Sequence, residues 1–584
     1  MKKILSLIGV SLVLYGILSG CQTQGNPGET QQTEPTENSK VNQELFTQRD
    51  FRTECTDAVS IRFEDHTATS DSGAVEISGS TVTITGEGVY LLSGSLEDGT
   101  LVINANKKDK LQLVLDGVSI HSNTTAALEI QQADKVFLTL ASGSENSLIA
   151  DTVTQEADAA LFSKQDLTIN GSGSLVVTSP EGHGIVCKDD LVFTGGTCTV
   201  NAASHALDAN DSVRITGETT LELTAGKDGI HCENSDDTAK GFIYIEKGTV
   251  KADAQGDAIS AGAYAEILEG SFTLTAGGGS VNGSKKSSDK FGGFMGGRPG
   301  NRQPRQETAE TEDSTSMKGL KATGDVIIHG GAFVIDAADD AIHADTSMTV
   351  SGGSFDIKTG DDAFHAEENL AVTDGQINVR ESYEGLEAHK MAISGGQILI
   401  RSSDDGLNAA GGQDESGFTG GRDGMFGGAG GPGGHFGGGA SDGEIRITGG
   451  KLAVYASGDG LDANGSIAIS DGEIYVTNPS SGDTSVLDSD TGAVITGGRF
   501  IGVGASMMMA QSFDGSSTQG VLACSTGNQS AGTLLSVTDE KGNTVISMET
   551  EYNSVLLIVS TPEIVKGQAY TLTLGDTSGT MTAE

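Results

Sequence analysis

Residues 339–345 read DDAIHAD, and 22 positions further on residues 361–367 read DDAFHAE. The apolar residue inside the motif is a marker that recurs at Ile185, Leu207, Ile230, Ile259, Leu320, Ile342, Phe364, Leu386, Leu407, Leu461 and Leu487. Most uninterrupted intervals are 21 to 23 residues. A period of that length restricts the chain to repeat architectures, in which each unit buries its apolar face only against its neighbours.

A second element keeps the same phase. Glycine-pair turns lead into alternating stretches such as GGAFVIDA, GGSFDIKT, GGQILIRS and GGKLAVYA. Period-two apolar residues bounded by glycine mean short β-strands joined by tight turns. The fold class is therefore all-β. About 22 residues suits one coil of a parallel β-helix with three short faces, with glycine supplying the positive φ its corners need. A leucine-rich solenoid would need a Leu/Asn consensus, and a propeller blade about twice the length. The pattern implies ~14–16 coils and, at ~4.8 Å per coil, a rod on the order of 70 Å long.

The chain divides around this array. Lys2 and Lys3 precede an apolar run from Ile4 to Leu18, and the run closes on LSGC with Cys21 last. The run is too short to span a bilayer and reads as a signal peptide, residues 1–20. LSGC has the form of a bacterial lipoprotein cleavage box, so Cys21 is the expected lipidation site. Residues 21–46 are polar and read as a flexible tether. Residues 47–110 form an N-terminal β cap, and residues 111–504 the array. Within the array, 277–316 and 411–441 are Gly-rich insertions too polar to build a core. Residues 505–584 lose the period and read as a small C-terminal β module covering an open strand edge. Cys55, Cys187, Cys198, Cys232 and Cys524 show no zinc-type spacing and read mostly as small buried residues.

Stacking turns a sequence pattern into a charge pattern. Two residues before the marker stand Asp228, Asp257, Asp340, Asp362, Glu384, Asp405 and Asp459. One residue after it stand Asp208, His231, His343, His365, Glu387, Asn408, Asp462 and Asp488. Equal register places carboxylates in a column roughly 5 Å apart. At an effective dielectric near 40, each adjacent pair repels by about 1.7 kcal/mol. Protonation, basic neighbours or bound cations must compensate. With 35 Lys and Arg against 80 Asp and Glu, calcium is the economical answer, because it takes six to eight oxygen ligands. The expected Ca2+ ligands are Asp228, Asp257, Asp340, Asp362, Glu384, Glu387, Asp405, Asp459 and Asp462. The competing readings are structural: aspartate as a turn residue, and His343 and His365 as a stacked imidazole pair. A net charge of −45 excludes nucleic acid as a partner.

The stretches GVYLLSGSLEDGTLVINA, LQLVLDGVSI and ADKVFLTLASGSENSL, followed by acidic DDGI-type coils and Phe–Gly–Gly insertions, resemble the carbohydrate-binding β-helix proteins typified by a clostridial cell-surface protein. The resemblance covers most of residues 80–500. It implies a right-handed parallel β-helix of pectate-lyase-like shape, calcium sites, and non-catalytic binding of plant polysaccharide such as cellulose or polygalacturonate. A calcium ion would bridge a protein carboxylate to a uronate. Neutral glucans would instead want exposed aromatic platforms, for which Tyr383 and Tyr455 are the candidates. The expectation is a monomeric lipoprotein at the bacterial cell surface, outside the cytoplasm and held to the membrane by its lipid anchor alone. Two rivals stand beside it. One is a calcium-dependent polysaccharide lyase with Arg380 or Arg401 as base. The other is an adhesin whose rod displays its two insertions.

Overall fold

The computed structural model describes residues 45–284, 316–409, 442–480, 482 and 484–584. The signal peptide, Cys21 and nearly all of the tether lie outside the described residues, as do 285–315 and 410–441 of the insertions. The described chain is all-β. Two 3-10 turns, Gln48–Phe51 and Ser280–Asn282, are its only helical elements, and 42 of its strands join one continuous sheet.

Within that sheet the pairing follows the repeat. The marker residues lie on one ladder, which runs from Thr81–Ile84 to Leu487–Ser489 in fourteen parallel pairings that join fifteen strands. Leu207 pairs with Ile230, Ile342 with Phe364, and Leu386 with Leu407. A second parallel ladder carries segments such as Val326–Ile328 and Ser347–Val350. A third carries the strands that follow the glycine turns, such as Ala332–Ala337 and Ser354–Thr359. Each coil contributes one strand to each ladder. The insertions do not disturb the register, since Ile259 pairs with Leu320 across the first and Leu407 with Leu461 across the second.

Alternation decides what faces inward. The marker residues are fully buried, and on the third ladder Phe272, Phe333 and Phe355 stack with centroids 4.5 and 4.8 Å apart. At the corner before that ladder, Gly331, Gly353 and Gly375 hold φ of 104°, 98° and 125°, a region in which a Cβ is strained. Among the described residues five cysteines are free: Cys187, Cys198 and Cys232 are buried, Cys524 is half-buried and Cys55 is exposed.

The ends are irregular. Val75–Ser78 and Thr81–Ile84 form an antiparallel hairpin ahead of the first coils. At the other end Arg499–Gly504 pairs antiparallel with Ser554–Ser560, which also pairs with Val521–Gln529. A separate four-stranded antiparallel sheet completes the C-terminal region. Two boundaries need correction. Leu45 and Phe46 are docked rather than free, because the Leu45 carbonyl accepts from Arg214 Nη1 at 3.0 Å and Phe46 lies 6.2 Å from the Tyr244 ring. Residues 277–284 pack on the array, where the Ser280 N–H donates to Asp336 Oδ1 at 2.6 Å. Asp50 explains the first case. It is 1% exposed, receives Lys135 Nζ at 2.8 Å and Thr168 Oγ1 at 2.6 Å, and its carbonyl accepts from Thr194 and Asn170. An anchor with four polar partners, three of them buried, holds the segment ahead of the β cap against the array.

Candidate metal and ligand site on the acidic column

Position two before the marker is a true column. The carbonyls of Asp228, Asp257, Asp340, Asp362, Glu384, Asp405 and Asp459 each accept a backbone N–H from the residue before the marker one coil earlier. The side chains add a second chain of bonds. Asp228 Oδ1 accepts the Asp257 N–H at 2.8 Å, Asp257 Oδ1 the Lys318 N–H at 2.7 Å, and Asp340 Oδ1 the Asp362 N–H at 3.1 Å. Asp405 Oδ1 and Asp459 Oδ1 do the same for Asp459 and Ser485. The acids therefore serve as turn acceptors as well as charges, and the turn reading and the charge reading hold together.

The position after the marker is equally regular: Asp208, His231, Ser260, Lys321, His343, His365, Glu387, Asn408, Asp462 and Asp488 pair in succession. His343 and His365 are stacked, with centroids 4.7 Å apart and 24° between planes.

How the negative charge is balanced changes along the column. Around Asp340 the chain supplies its own cations. Lys318 Nζ reaches Asp340 Oδ2 at 2.7 Å and Asp339 Oδ2 at 2.8 Å, and His343 Nδ1 lies 2.7 Å from Asp340 Oδ2. Burial pushes the Asp340 carboxyl up, but Lys318 and His343 outweigh it and hold the group well below the usual carboxylate range. His365 Nδ1 lies 3.1 Å from Asp362 and 2.9 Å from Glu387. Burial lowers the pKa of His343 and His365, and their carboxylate partners more than reverse that, so both are raised. Sequence reasoning passed over Lys318, which sits two residues before Leu320 in the column itself. The register rule would have found it had the adjoining insertion not drawn the eye.

At Glu384, Glu387 and Asp405 no lysine or arginine of the described residues pairs with the column. Burial, then Glu387 and Asp362, raise Glu384 well above its ordinary value. Burial and Asp362 push Glu387 up to about 8, and burial with Asp459 and Asp404 raises Asp405. Asp459, Asp462 and Asp488 each bring a carboxylate oxygen within 4.8 Å of the others, as Asp362, His365 and Glu387 each bring a ligand atom. Three buried acceptors on consecutive coils have no hydrogen-bond donor: Asp362 Oδ1, Glu387 Oε1 and Asn408 Oδ1. Such atoms are costly to bury without a partner. An all-oxygen, anionic, donor-poor set of this kind suits a hard divalent cation.

The remaining candidates lie elsewhere. Arg380 is ion-paired to Asp356, and Arg401 lies over the Tyr455 ring at 5.0 Å. Among the described residues neither guanidinium pairs with a carboxylate of the column. Tyr383 and Tyr455 are 3% and 8% exposed, which corrects their assignment as sugar platforms: their rings pack inside the protein, and Tyr455 Oη bonds Glu551 at 3.2 Å.

Comparison with known proteins adds an independent line. A family model described as carbohydrate-binding domain-containing protein matches residues 78–363 and 347–423. A carbohydrate-binding domain-containing protein of Acetivibrio thermocellus is 34% identical over 226 residues, covering 37% of this chain and 79% of the relative. A solved structure described as the polysaccharide lyase-like protein from C. thermocellum, gadolinium derivative, is 33% identical and covers 38% of this chain and 92% of its own. Its TM-score is 0.37, too low for the superposition to bear on fold or site.

Proposed function

The chain belongs to the carbohydrate-binding domain-containing protein family, and from that premise we propose that it holds a polysaccharide non-catalytically, with calcium on the stretch of its column from Asp362 to Asp462. The three parallel ladders are read as the faces of a right-handed parallel β-helix. Cys21 is read as the lipidated residue that ties a monomeric rod to the outer face of a bacterial membrane.

Family membership supports the carbohydrate half of this reading. The calcium half rests on one observation, the run of unpartnered buried acceptors at Asp362, Glu387 and Asn408. Glu384, Asp405, Asp459 and Asp462 would supply the other oxygens. Asp228, Asp257 and Asp340 are less suited. Asp340 already faces an ammonium, Asp228 faces two imidazoles, and Asp257 stands between them on the column, away from the coils that carry the unpartnered acceptors. A bound divalent ion would neutralise the column and offer open coordination to a uronate carboxylate or sugar hydroxyl.

The test is a pull-down of the full chain on insoluble cellulose and on immobilised polygalacturonate, with calcium and with a chelator. Retention on polygalacturonate only with calcium supports ion bridging. Retention unchanged by the chelator removes the calcium role, and no retention on any polysaccharide removes the binding role. An absorbance rise from unsaturated uronate would show a lyase instead.

A further inference from the structure

The early coils of the column carry donors of a different chemistry. His205 and Asp228 occupy successive positions two before the marker, and His231 stands one after it in the coil of Asp228. Asp228 Oδ2 lies 3.2 Å from His205 Nδ1 and 3.0 Å from His231 Nδ1. One ligand atom from each of the three falls within 4.8 Å of the others. The two rings are stacked, with centroids 4.4 Å apart and 27° between planes. The side chains of His205, Asp228 and His231 are 14%, 14% and 23% exposed, so an ion can reach them from solvent.

Two ligands of one tetrahedral ion, each bonded at 2.0–2.1 Å, stand about 3.3 Å apart. The two observed separations fall only a few tenths of an ångström short of that, within reach of a small side-chain rotation. Two imidazoles and one carboxylate select a borderline transition ion, whereas calcium prefers oxygen. His231 Nε2 lies 3.5 Å from Glu233 Oε2, the outer carboxylate that commonly orients a ligating histidine. The Asp228 N–H, which donates to His205 Nδ1 at 3.2 Å, is the contact that an ion would displace.

A second trio on the same column shows what is different here. Asp340, His343 and His365 have the same residue types and closeness, but Lys318 Nζ sits 2.7 Å from Asp340 Oδ2 and fills the cationic position. Among the described residues no lysine or arginine pairs with Asp228.

We propose that His205, Asp228 and His231 bind one divalent transition ion of the zinc class, clipping two successive coils together and leaving its remaining coordination to water or an incoming ligand. The site is independent of the calcium and polysaccharide reading, since it shares no donor with the stretch from Asp362 to Asp462.

The experiment titrates chelator-stripped full-length protein with cobalt(II) chloride in excess calcium. One saturating equivalent with visible absorption of a low-coordinate cobalt ion is expected, displaced by zinc and not by calcium. H205Q and H231Q should each weaken binding at least tenfold, while H343Q, in the trio that Lys318 already fills, leaves it unchanged. A second readout needs no variant: zinc should protect His205 and His231 of the natural protein from carbethoxylation. Absence of saturable binding, binding indifferent to both substitutions, unprotected histidines, or a near-ultraviolet thiolate band placing the ion on a cysteine would each overturn the proposal.

Discussion

The coils around residues 318–365 and those around 384–488 stack in the same register and bury the same kind of carboxylate, yet they handle charge in opposite ways. The first set has Lys318, His343 and His365 threaded among its acids. In the second, among the described residues, carboxylates lie beside carboxylates and Asn408, with Glu384 and Asp405 raised by burial and by neighbouring acids. A parallel ladder enforces the spacing without regard to what the side chains are. The local sequence then decides whether a buried column is self-neutralised or depends on protons and ions from outside.

That contrast can be broken most severely at Lys318. Lys318→Met should cost about 3–5 kcal/mol, because it takes the ammonium away from the buried Asp340 carboxylate and leaves His343 alone beside it. Hydrogen exchange resolved along the chain should show the loss centred on residues 318–365. An unchanged exchange pattern there would mean the ammonium does not neutralise Asp340.

Calcium should act on the other set. At a hundredfold excess over its Kd, calcium would add about 2.7 kcal/mol, read as slowed exchange in coils 384–488 and abolished in Asp459→Asn with Asp462→Asn. Because a repeat array need not unfold in one step, stretch-resolved exchange is the proper measure.

Acidity should separate the two sets below about pH 4, since the raised His343 and His365 lose their contribution only as pH rises. Glu387 is raised from 4.5 to about 8 in the folded chain. Its contribution is therefore fully present below pH 4.5 and lost as pH climbs toward 8. Without calcium the 384–488 coils should loosen over that window. Asp340 is shifted down, so its contribution is present above its unfolded value and lost on acidification. The 318–365 coils should therefore weaken as pH falls below about 4. Exchange profiles that moved together in both sets as pH fell below about 4 would refute the distinction.

The smallest effect is expected at Tyr455. Tyr455→Phe removes one bond to Glu551, worth about 1 kcal/mol, and should leave retention on cellulose unchanged, since the ring is buried.

Much of this was legible without coordinates. The 22-residue marker period, glycine before each alternating strand, and a constant offset between marker and acid determine that equivalent residues lie above one another, because a parallel ladder keeps register coil after coil. The sequence alone therefore defined the column and most of its members. Burial, partner choice and direction were decided by the tertiary structure. Tyr383 and Tyr455 read as candidate surface aromatics until the packed interior claimed them, and Arg401 as a candidate base near the column until it lay over the Tyr455 ring. Asp50 reaches Thr168 and Thr194 across more than a hundred residues, a contact no local pattern encodes. Periodicity propagates along a chain and can be read from it. The electrostatic partner of a buried group depends on distance in space, which only the folded stack determines.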